Sequence, residues 1–218
     1  ICEEYGADSL RLFEMFLGPL EQAKPWKTAG ISGVSSFLKK LWKLFYSSLE
    51  EGQEAVLRIS DVKPTAEELK TLHKTIKKVE EDIENFSFNT SVSTFMIAVN
   101  ELTAQKCNKR AILEPLLILI SPYAPHIAEE LWSQLGNTAS ISEAAFPVFD
   151  AKHLVESSKN YPISFNGKKR FTLELPLDMS KEEMEKVVMA HEKTQAQLEG
   201  RTPKKVIIVP GKIVNIVG

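Results

Sequence analysis

The chain has 218 residues, of which 43% are hydrophobic and 26% charged, and its formal net charge is −2. This length and composition allow a sizeable buried core and favour one larger and one smaller domain. No apolar run approaches the roughly 20 residues needed to cross a bilayer, and the first ten residues lack the pattern of a signal peptide. We therefore expect a cytoplasmic protein with no membrane partner.

The cysteines and the charge distribution narrow the expected chemistry. Cys2 and Cys107 are far apart in the sequence and form no Cys-x-x-Cys pair, so they support neither a zinc knuckle nor a disulfide framework. From Tyr161 onward there are ten basic and seven acidic residues, whereas the preceding chain has 17 basic and 22 acidic residues. The carboxyl-terminal part is therefore better suited to a polyanionic partner.

The first predicted helices lie over residues 9–17, where Gly18-Pro19 ends the pattern, and over about residues 31–48. In the second helix Lys39, Lys40 and Lys43 point away from the apolar face. Two interpretations remain open for these lysines. They form either a solvated helix surface or a contact with a nucleic-acid backbone, since lysines can neutralise phosphates without reading sequence.

The middle of the chain has the pattern of a helical bundle. A helix is predicted over residues 65–86, with apolar residues at steps of three and four, and another over residues 92–108. Residues 116–120 are apolar on every side, which favours an enclosed helix. Pro122 and Pro125 then predict a sharp corner, followed by an amphipathic helix with proline in its first turn.

The last part predicts a small α+β domain after a linker over residues 143–158. Asn166-Gly167 is a strong hairpin signal between two stretches rich in β-forming residues, and Ser180 begins a capping box. The predicted order is ββαββ, with strands over residues 161–165, 170–175, 206–209 and 213–217 and one helix over residues 180–198.

Two stretches of the helical part resemble a known family. Residues 121–132, SPYAPHIAEELW, resemble the final helices of the anticodon-binding-type helical domain in class I aminoacyl-tRNA synthetases of the Leu/Ile/Val/Met group. Residues 5–22, YGADSLRLFEMFLGPLEQ, resemble the segment after the Lys-Met-Ser-Lys-Ser loop of the leucyl-tRNA synthetase family. We therefore expect an excised piece of a longer protein that begins just beyond this loop and contains no catalytic residue.

Three further blocks resemble the terminal domain of bacterial-type leucyl-tRNA synthetases: FNGKKR at residues 165–170, EGRTPKKVI at 199–207 and VPGKIVNIV at 209–217. The resemblance implies a domain that docks on the elbow of tRNA. The candidate tRNA-binding residues are Lys168, Lys169, Arg170, Arg201, Lys204, Lys205 and Lys212, with Lys39, Lys40 and Lys43 in the helical part. Because the family commonly has one basic residue and a valine at positions 168 and 169, which of these two lysines matters stays open.

The resemblance implies that the chain is the carboxyl-terminal part of a leucine–tRNA ligase, with a helical domain over residues 1–150, a linker over 151–160 and a tRNA-docking domain over 161–218. It would orient tRNA-Leu for ATP-dependent attachment of leucine by a catalytic domain outside the chain. We expect no cofactor or metal in this part, ATP and Mg²⁺ in the full-length enzyme, the catalytic and editing domains as partners, and a monomer.

Two alternatives remain. Isoleucyl- and valyl-tRNA synthetases share the helical domain, but the cysteine ligands and the long coiled coil at their carboxyl end are absent here. The other alternative is a protein-interaction module made of a helical bundle and a ubiquitin-like domain. Salt dependence distinguishes it from an RNA-binding protein, because binding to several phosphates weakens steeply as the salt concentration rises.

Overall fold

A computed structural model describes residues 1–46, 55–155, 158–177 and 179–218 of the chain. The chain divides into two compact units, Ile1–Leu154 and Val155–Gly218, and each has its own buried apolar core. We call them the helical unit and the sheet unit. None of the helices within the described ranges has the length and apolar character needed to pass through a membrane.

The described part of the helical unit is built mainly from α-helices. In chain order the helices are α1 Cys2–Tyr5, α2 Ala7–Phe16, α3 Ile31–Phe45, α4 Ala66–Glu84, α5 Phe88–Ala104, α6 Arg110–Ile120 and α7 Pro125–Gln134. The predicted helix over residues 31–48 corresponds to α3, and residues 47 and 48 lie outside the described part of the chain.

Helix α6 and the corner after it form the centre of this unit. Leu116, Leu117, Leu119 and Ile120 are at most 1% exposed, which agrees with the predicted enclosure of this segment. Pro125 occupies the first turn of α7, where a missing amide donor costs nothing because that N–H would have no partner within the helix. The predicted corner is therefore confirmed.

Helix α4 begins as predicted and ends earlier than predicted. The side chain of Thr65 accepts a hydrogen bond from the backbone N–H of Glu68, and the Glu68 carboxylate accepts one from Thr65 N–H, which completes a capping box. The helix ends at Glu84, and Phe86 has a φ of 54° and is 63% exposed. Phe86 therefore does not continue the apolar stripe, because the chain has already turned away from the helix axis.

The segment predicted as a linker begins on the surface of the helical unit. The backbone N–H of Asp150 donates a hydrogen bond to His73 Nδ1 of α4 at 3.1 Å, and the ring of His153 stacks on His73 with 4.4 Å between ring centroids. Residues up to Leu154 belong to the helical unit. Residues 156–157 lie outside the described residues.

The sheet unit contains a four-stranded mixed sheet with two helices. Its elements are β1 Ser158–Phe165, β2 Lys168–Pro176, α8 Lys181–Ala190, α9 Glu192–Leu198, β3 Lys205–Val209 and β4 Ile213–Val217. The strand order is β2-β1-β4-β3, in which β1 and β4 run parallel and the other neighbours run antiparallel. Buried Tyr161, Ile163, Val214 and Ile216 from the central strands pack against Met184 and Val188 of α8.

The single helix predicted over residues 180–198 is in fact two helices. His191 adopts an extended conformation, with a ψ of 134°, between α8 and α9. Its ring accepts a hydrogen bond from the backbone N–H of Lys193, which caps the start of α9, and it stacks on Phe171. The element order is therefore ββααββ, because the histidine side chain offers the backbone a cap where the apolar period alone predicted continuation.

Candidate functional site

The hairpin between β1 and β2 positions the first basic residues of the sheet unit. Asn166 and Gly167 have φ angles of 48° and 80°, and a two-residue turn of this kind requires positive φ at both positions. The backbone N–H of Asn166 donates to Ile216 O at 2.9 Å, and that of Gly167 donates to Asn215 Oδ1 at 3.0 Å. The predicted hairpin is confirmed, and its tip is attached to the end of β4.

Strand β2 contains a β-bulge beside its basic residues. Ile163 of β1 pairs with Phe171, and the next residue, Ser164, pairs with Lys169, so Arg170 is an extra residue in β2. An extra residue interrupts the strict alternation of side chains between the two faces of a sheet. Lys168 and Arg170, which are two positions apart, both border the same cavity, whereas Lys169 between them does not.

This cavity, which we call the basic cavity, has a volume of about 510 Å³. Its cationic residues come from two segments that are distant in sequence: Lys168 and Arg170 from β2, and Arg201 and Lys204 from the loop between α9 and β3. Phe165, Leu198, Pro203 and Ile216 provide the apolar part of its lining.

The loop after α9 is held in place by a tight reversal and by β4. Glu199 and Gly200 have φ angles of 50° and 79°, and the backbone N–H of Arg201 donates to Leu198 O at 2.8 Å. The backbone N–H of Lys204 donates to Val217 O at 2.8 Å. These bonds place Arg201 and Lys204 at the same end of the sheet as the hairpin tip, where β1 and β4 finish.

The charges of the basic cavity are largely available to an anion. Lys168, Arg170 and Lys204 are exposed and form no salt bridge with any residue that the structure describes. Arg201 Nη2 lies 3.0 Å from Glu199 Oε2, but both side chains are about three quarters exposed. Exposed ion pairs of this kind contribute little free energy, so a phosphate can replace the carboxylate at Arg201.

The other three predicted basic residues of the sheet unit lie outside the basic cavity. Lys169 is exposed beside it, and Lys205 begins β3 next to Lys204. Lys212 lies in the turn between β3 and β4, at the opposite end of β4 from Val217. Because five strand residues span about 16 Å, Lys212 lies away from the basic cavity, and its contact with tRNA stays a prediction.

The lysines of α3 border a second basic surface, in the helical unit. Lys40 and Lys43 line a groove of about 450 Å³ together with Arg58 and Lys106, and we call it the α3 groove. Lys40 Nζ donates a hydrogen bond to Asn100 Oδ1 at 3.1 Å. Lys39 is exposed but does not line the groove. The structure therefore places two of the three predicted lysines on one surface.

Two residues of the α3 groove were not found from the sequence. The backbone N–H of Arg58 donates to Phe45 O at 2.8 Å, and this contact places Arg58 beside the end of α3. Lys106, with a φ of 53°, follows the end of α5. Neither residue has a regular spacing from Lys40 or Lys43 in the sequence, so only the folded structure brings them together.

Three titratable side chains outside the two basic surfaces, His73, His126 and Cys107, contact other residues of the helical unit. Burial lowers the pKa of His73, whose Nδ1 accepts the Asp150 N–H. His126 Nδ1 lies 2.8 Å from Asp8 Oδ1 at the start of α7. Burial raises the pKa of the Cys107 thiol to about 12. Within the described ranges, no group of three or more His, Cys, Asp or Glu side chains is placed to hold a metal ion.

The chain is similar to known tRNA ligases along its whole length. The family model described as "Anticodon-binding domain of tRNA ligase" matches residues 67–189, which is more than half of the chain. The leucine–tRNA ligase of Christiangramia forsetii is 72% identical over 218 residues, that of Flavobacterium johnsoniae 70% over 218, and that of Bacteroides thetaiotaomicron 54% over 217. The chain spans 22% of the length of each of these relatives.

A solved structure is similar over nearly the same extent. The crystal structure of the ternary complex of Agrobacterium radiobacter K84 agnB2 LeuRS-tRNA-LeuAMS covers 99% of this chain with a TM-score of 0.61 and 25% sequence identity, and 29% of that chain is covered. The resemblance to leucyl-tRNA synthetases is therefore confirmed. The relatives favour neither isoleucyl- nor valyl-tRNA synthetase, nor a protein-interaction module.

Proposed function

The chain belongs to the family of anticodon-binding domains of tRNA ligases, and from this we propose that it binds tRNA-Leu and orients it within a leucine–tRNA ligase. The observation that carries the proposal is the match of the entire chain to leucine–tRNA ligases at 54–72% identity. The basic cavity supports it, because four cations around one concavity suit a ribose-phosphate backbone.

The proposed role is positional. Phosphate contacts fix the register and orientation of a nucleic acid without reading its bases. A tRNA held at the basic cavity and along the helical unit would have its acceptor end delivered to a catalytic domain outside this chain. Such positioning accelerates a reaction between two bound groups because much of the entropy of bringing them together is lost on binding.

The basic cavity is the primary tRNA contact in this proposal. Lys168, Arg170, Arg201 and Lys204 face one concavity, whereas Lys169 and Lys205 flank it and Lys212 lies apart. The α3 groove is a secondary contact through Lys40, Lys43, Arg58 and Lys106. We rank it second because Lys40 Nζ already donates a hydrogen bond to Asn100 Oδ1.

The chemistry of aminoacylation belongs to the rest of the enzyme in this proposal. ATP and Mg²⁺ would bind the catalytic domain, which together with the editing domain is the expected protein partner of this chain. Within the described ranges no cluster of side chains is suited to a metal ion, and we assign no step through ATP or Mg²⁺ to these residues. The proposal also includes a monomeric, cytoplasmic enzyme, with residues 1–150 as the helical domain and residues 161–218 as the docking domain.

The test is binding of the chain to tRNA-Leu and to a second tRNA across a salt series. We expect binding that favours tRNA-Leu and weakens steeply as the salt concentration rises. Replacing both Lys168 and Lys204 with alanine should weaken binding. The logarithm of the association constant should also fall less steeply with the logarithm of the salt concentration, by about 2 units of slope, since each lost phosphate contact removes about one unit.

The matched control removes two exposed lysines of the same unit that lie outside the cavity and are not candidate tRNA-binding residues, Lys186 and Lys193. This variant has the same net charge as the double variant of the cavity. If both variants weaken binding equally, the contact depends on the overall charge of the unit and not on the basic cavity. Binding that is equal for both tRNAs and insensitive to salt would contradict the proposal.

A further inference from the structure

The basic cavity has an apolar floor in addition to its cationic rim. The half-buried ring of Phe165 packs against the core of the sheet unit while it borders the cavity, and half-buried Pro203 and the largely buried Leu198 line it beside this ring. Cations that only contact phosphates can bind a nucleic-acid backbone equally well from a convex surface. A concave apolar floor instead provides contact for a flat, poorly hydrated group such as a nucleobase.

Two amide side chains at the rim could hydrogen-bond to the edge of a base. The side chain of Gln197 is exposed and forms no hydrogen bond with any residue that the structure describes. Asn166 accepts a hydrogen bond from Gly218 N–H through Oδ1 at 3.2 Å, and this leaves its NH₂ group available as a donor. Amides combine a donor and an acceptor, which is the combination that base edges present.

We infer that the basic cavity takes a single unstacked nucleotide of the tRNA, with its base on Phe165 and its flanking phosphates at Lys168 and Lys204. This inference rests on the proposed function and deepens it. The cavity volume of about 510 Å³ is within the range of small-ligand sites. A base within a duplex cannot enter, because both of its faces are stacked on neighbours, so the site selects a nucleotide from a loop or bend.

The decisive variant is Phe165→Leu, which keeps an apolar side chain in the core and removes the aromatic face. Phe171→Leu is the matched control, because Phe171 is half-buried against the same core and does not border the cavity. We expect Phe165→Leu to weaken binding of tRNA-Leu by about tenfold, since stacking on an aromatic side chain is a major part of such affinity. The slope of log K against log salt should not change, because no cation is lost.

An RNA competition tests the preference for an unstacked nucleotide directly, first with the wild-type protein and then with the two phenylalanine variants. A short single-stranded RNA should displace labelled tRNA-Leu at a lower concentration than a blunt duplex with the same number of phosphates. The advantage of the single strand should disappear in Phe165→Leu and persist in Phe171→Leu. A purely electrostatic surface would instead favour the duplex, whose charge density is higher.

The outcomes separate this inference from the proposed function. If the double variant at Lys168 and Lys204 weakens binding while Phe165→Leu matches Phe171→Leu, the nucleotide cavity is wrong and the tRNA-binding role stands. If neither the cations nor Phe165 affect binding, the proposed docking site fails and the inference fails with it. Unfolding curves of the two phenylalanine variants establish that any difference in affinity is not a difference in folding.

Discussion

The side-chain carboxylate of Asp8, in α2, accepts a hydrogen bond of 2.7 Å from the backbone N–H of Ile127, in the first turn of α7. The same carboxylate accepts one from His126 N–H at 3.3 Å. Asp8 therefore caps a helix that lies more than a hundred residues later in the chain. Since Asp8 is only 8% exposed, water cannot readily replace this cap.

Replacing Asp8 with alanine should lower the free energy of unfolding of the helical unit by about 1–2 kcal/mol, because two N–H groups lose their acceptor. Tryptophan fluorescence in a urea titration measures this, since Trp26, Trp42 and Trp132 all lie in the helical unit and report on it alone. Glu14→Ala is the control, because Glu14 is an exposed acid on the same helix. Equal stability of the two variants would contradict the capping role.

The stability of the helical unit should depend on pH, and His73 should contribute to this dependence. Burial lowers its pKa in the folded state below the value of about 6.5 that histidine has in an unfolded chain, with smaller contributions from His153 and Lys152, while Asp150 acts in the opposite direction. The unfolded chain therefore binds a proton more readily than the folded chain. The stabilising contribution is present above pH 6.5 and is lost as the pH falls below it.

Replacing His73 with glutamine should reduce the loss of stability between pH 7 and pH 5, since glutamine does not titrate and can still accept the Asp150 N–H. The measurement is the midpoint of urea unfolding by tryptophan fluorescence at several pH values. His191→Gln provides the comparison, because His191 belongs to the sheet unit. Indistinguishable pH profiles for wild type and His73→Gln would show that His73 does not contribute.

Local backbone chemistry made part of the fold predictable from the sequence. Asn166-Gly167 needs positive φ at both positions and so predicts the hairpin, and Pro125 predicts the first turn of α7. The capping box at Ser180 likewise depends on residues only three positions apart, Ser180 and Glu183. Signals of this kind need no knowledge of the rest of the chain.

Contacts between distant segments could not be predicted in the same way. The sequence offers no reason for Asp8 to cap α7 or for Arg58 to lie beside the end of α3. The bulge at Arg170 is equally hidden, because it depends on how β1 and β2 align. The sequence therefore predicts the candidate site only as a set of basic residues. The folded structure adds the apolar floor and shows that Lys168 borders the cavity while Lys169 does not.

Two glycine substitutions should change stability in opposite directions. Gly167 has a φ of +80°, a conformation in which a side chain is strained, so Gly167→Ala should destabilise the sheet unit by about 1–2 kcal/mol. Gly33 lies inside α3, and an added Cβ would meet no atom within 4 Å. Gly33→Ala should stabilise the helical unit by about 0.5–1 kcal/mol, because alanine loses less backbone entropy in a helix.

Hydrogen exchange at backbone amides of each unit measures both changes at once, since it assigns stability to individual segments. The slowest amides of β1 and β2 should exchange faster in Gly167→Ala and remain unchanged in Gly33→Ala. The slowest amides of α3 should show the reverse. Faster exchange in both variants would mean that Gly33 has a structural role that open space around it does not reveal.

The two cysteines should differ sharply in reactivity. Cys107 is 0% exposed, and burial raises the pKa of its thiol to about 12, whereas Cys2 is exposed. Because the thiolate is the reactive form, Cys107 should remain unmodified at pH 8 in the folded protein. A thiol reagent should therefore modify one cysteine per chain under native conditions and both in urea, as measured by mass spectrometry.

The variant Cys2→Ser isolates the buried thiol. Its native form should show no rapid modification, and the slow labelling that remains should follow the rate at which the helical unit opens around Cys107. Asp8→Ala combined with Cys2→Ser should then label faster, because the weaker cap on α7 raises the population of opened molecules. Rapid labelling of Cys2→Ser without denaturant would show that the core around Cys107 is accessible in the folded protein.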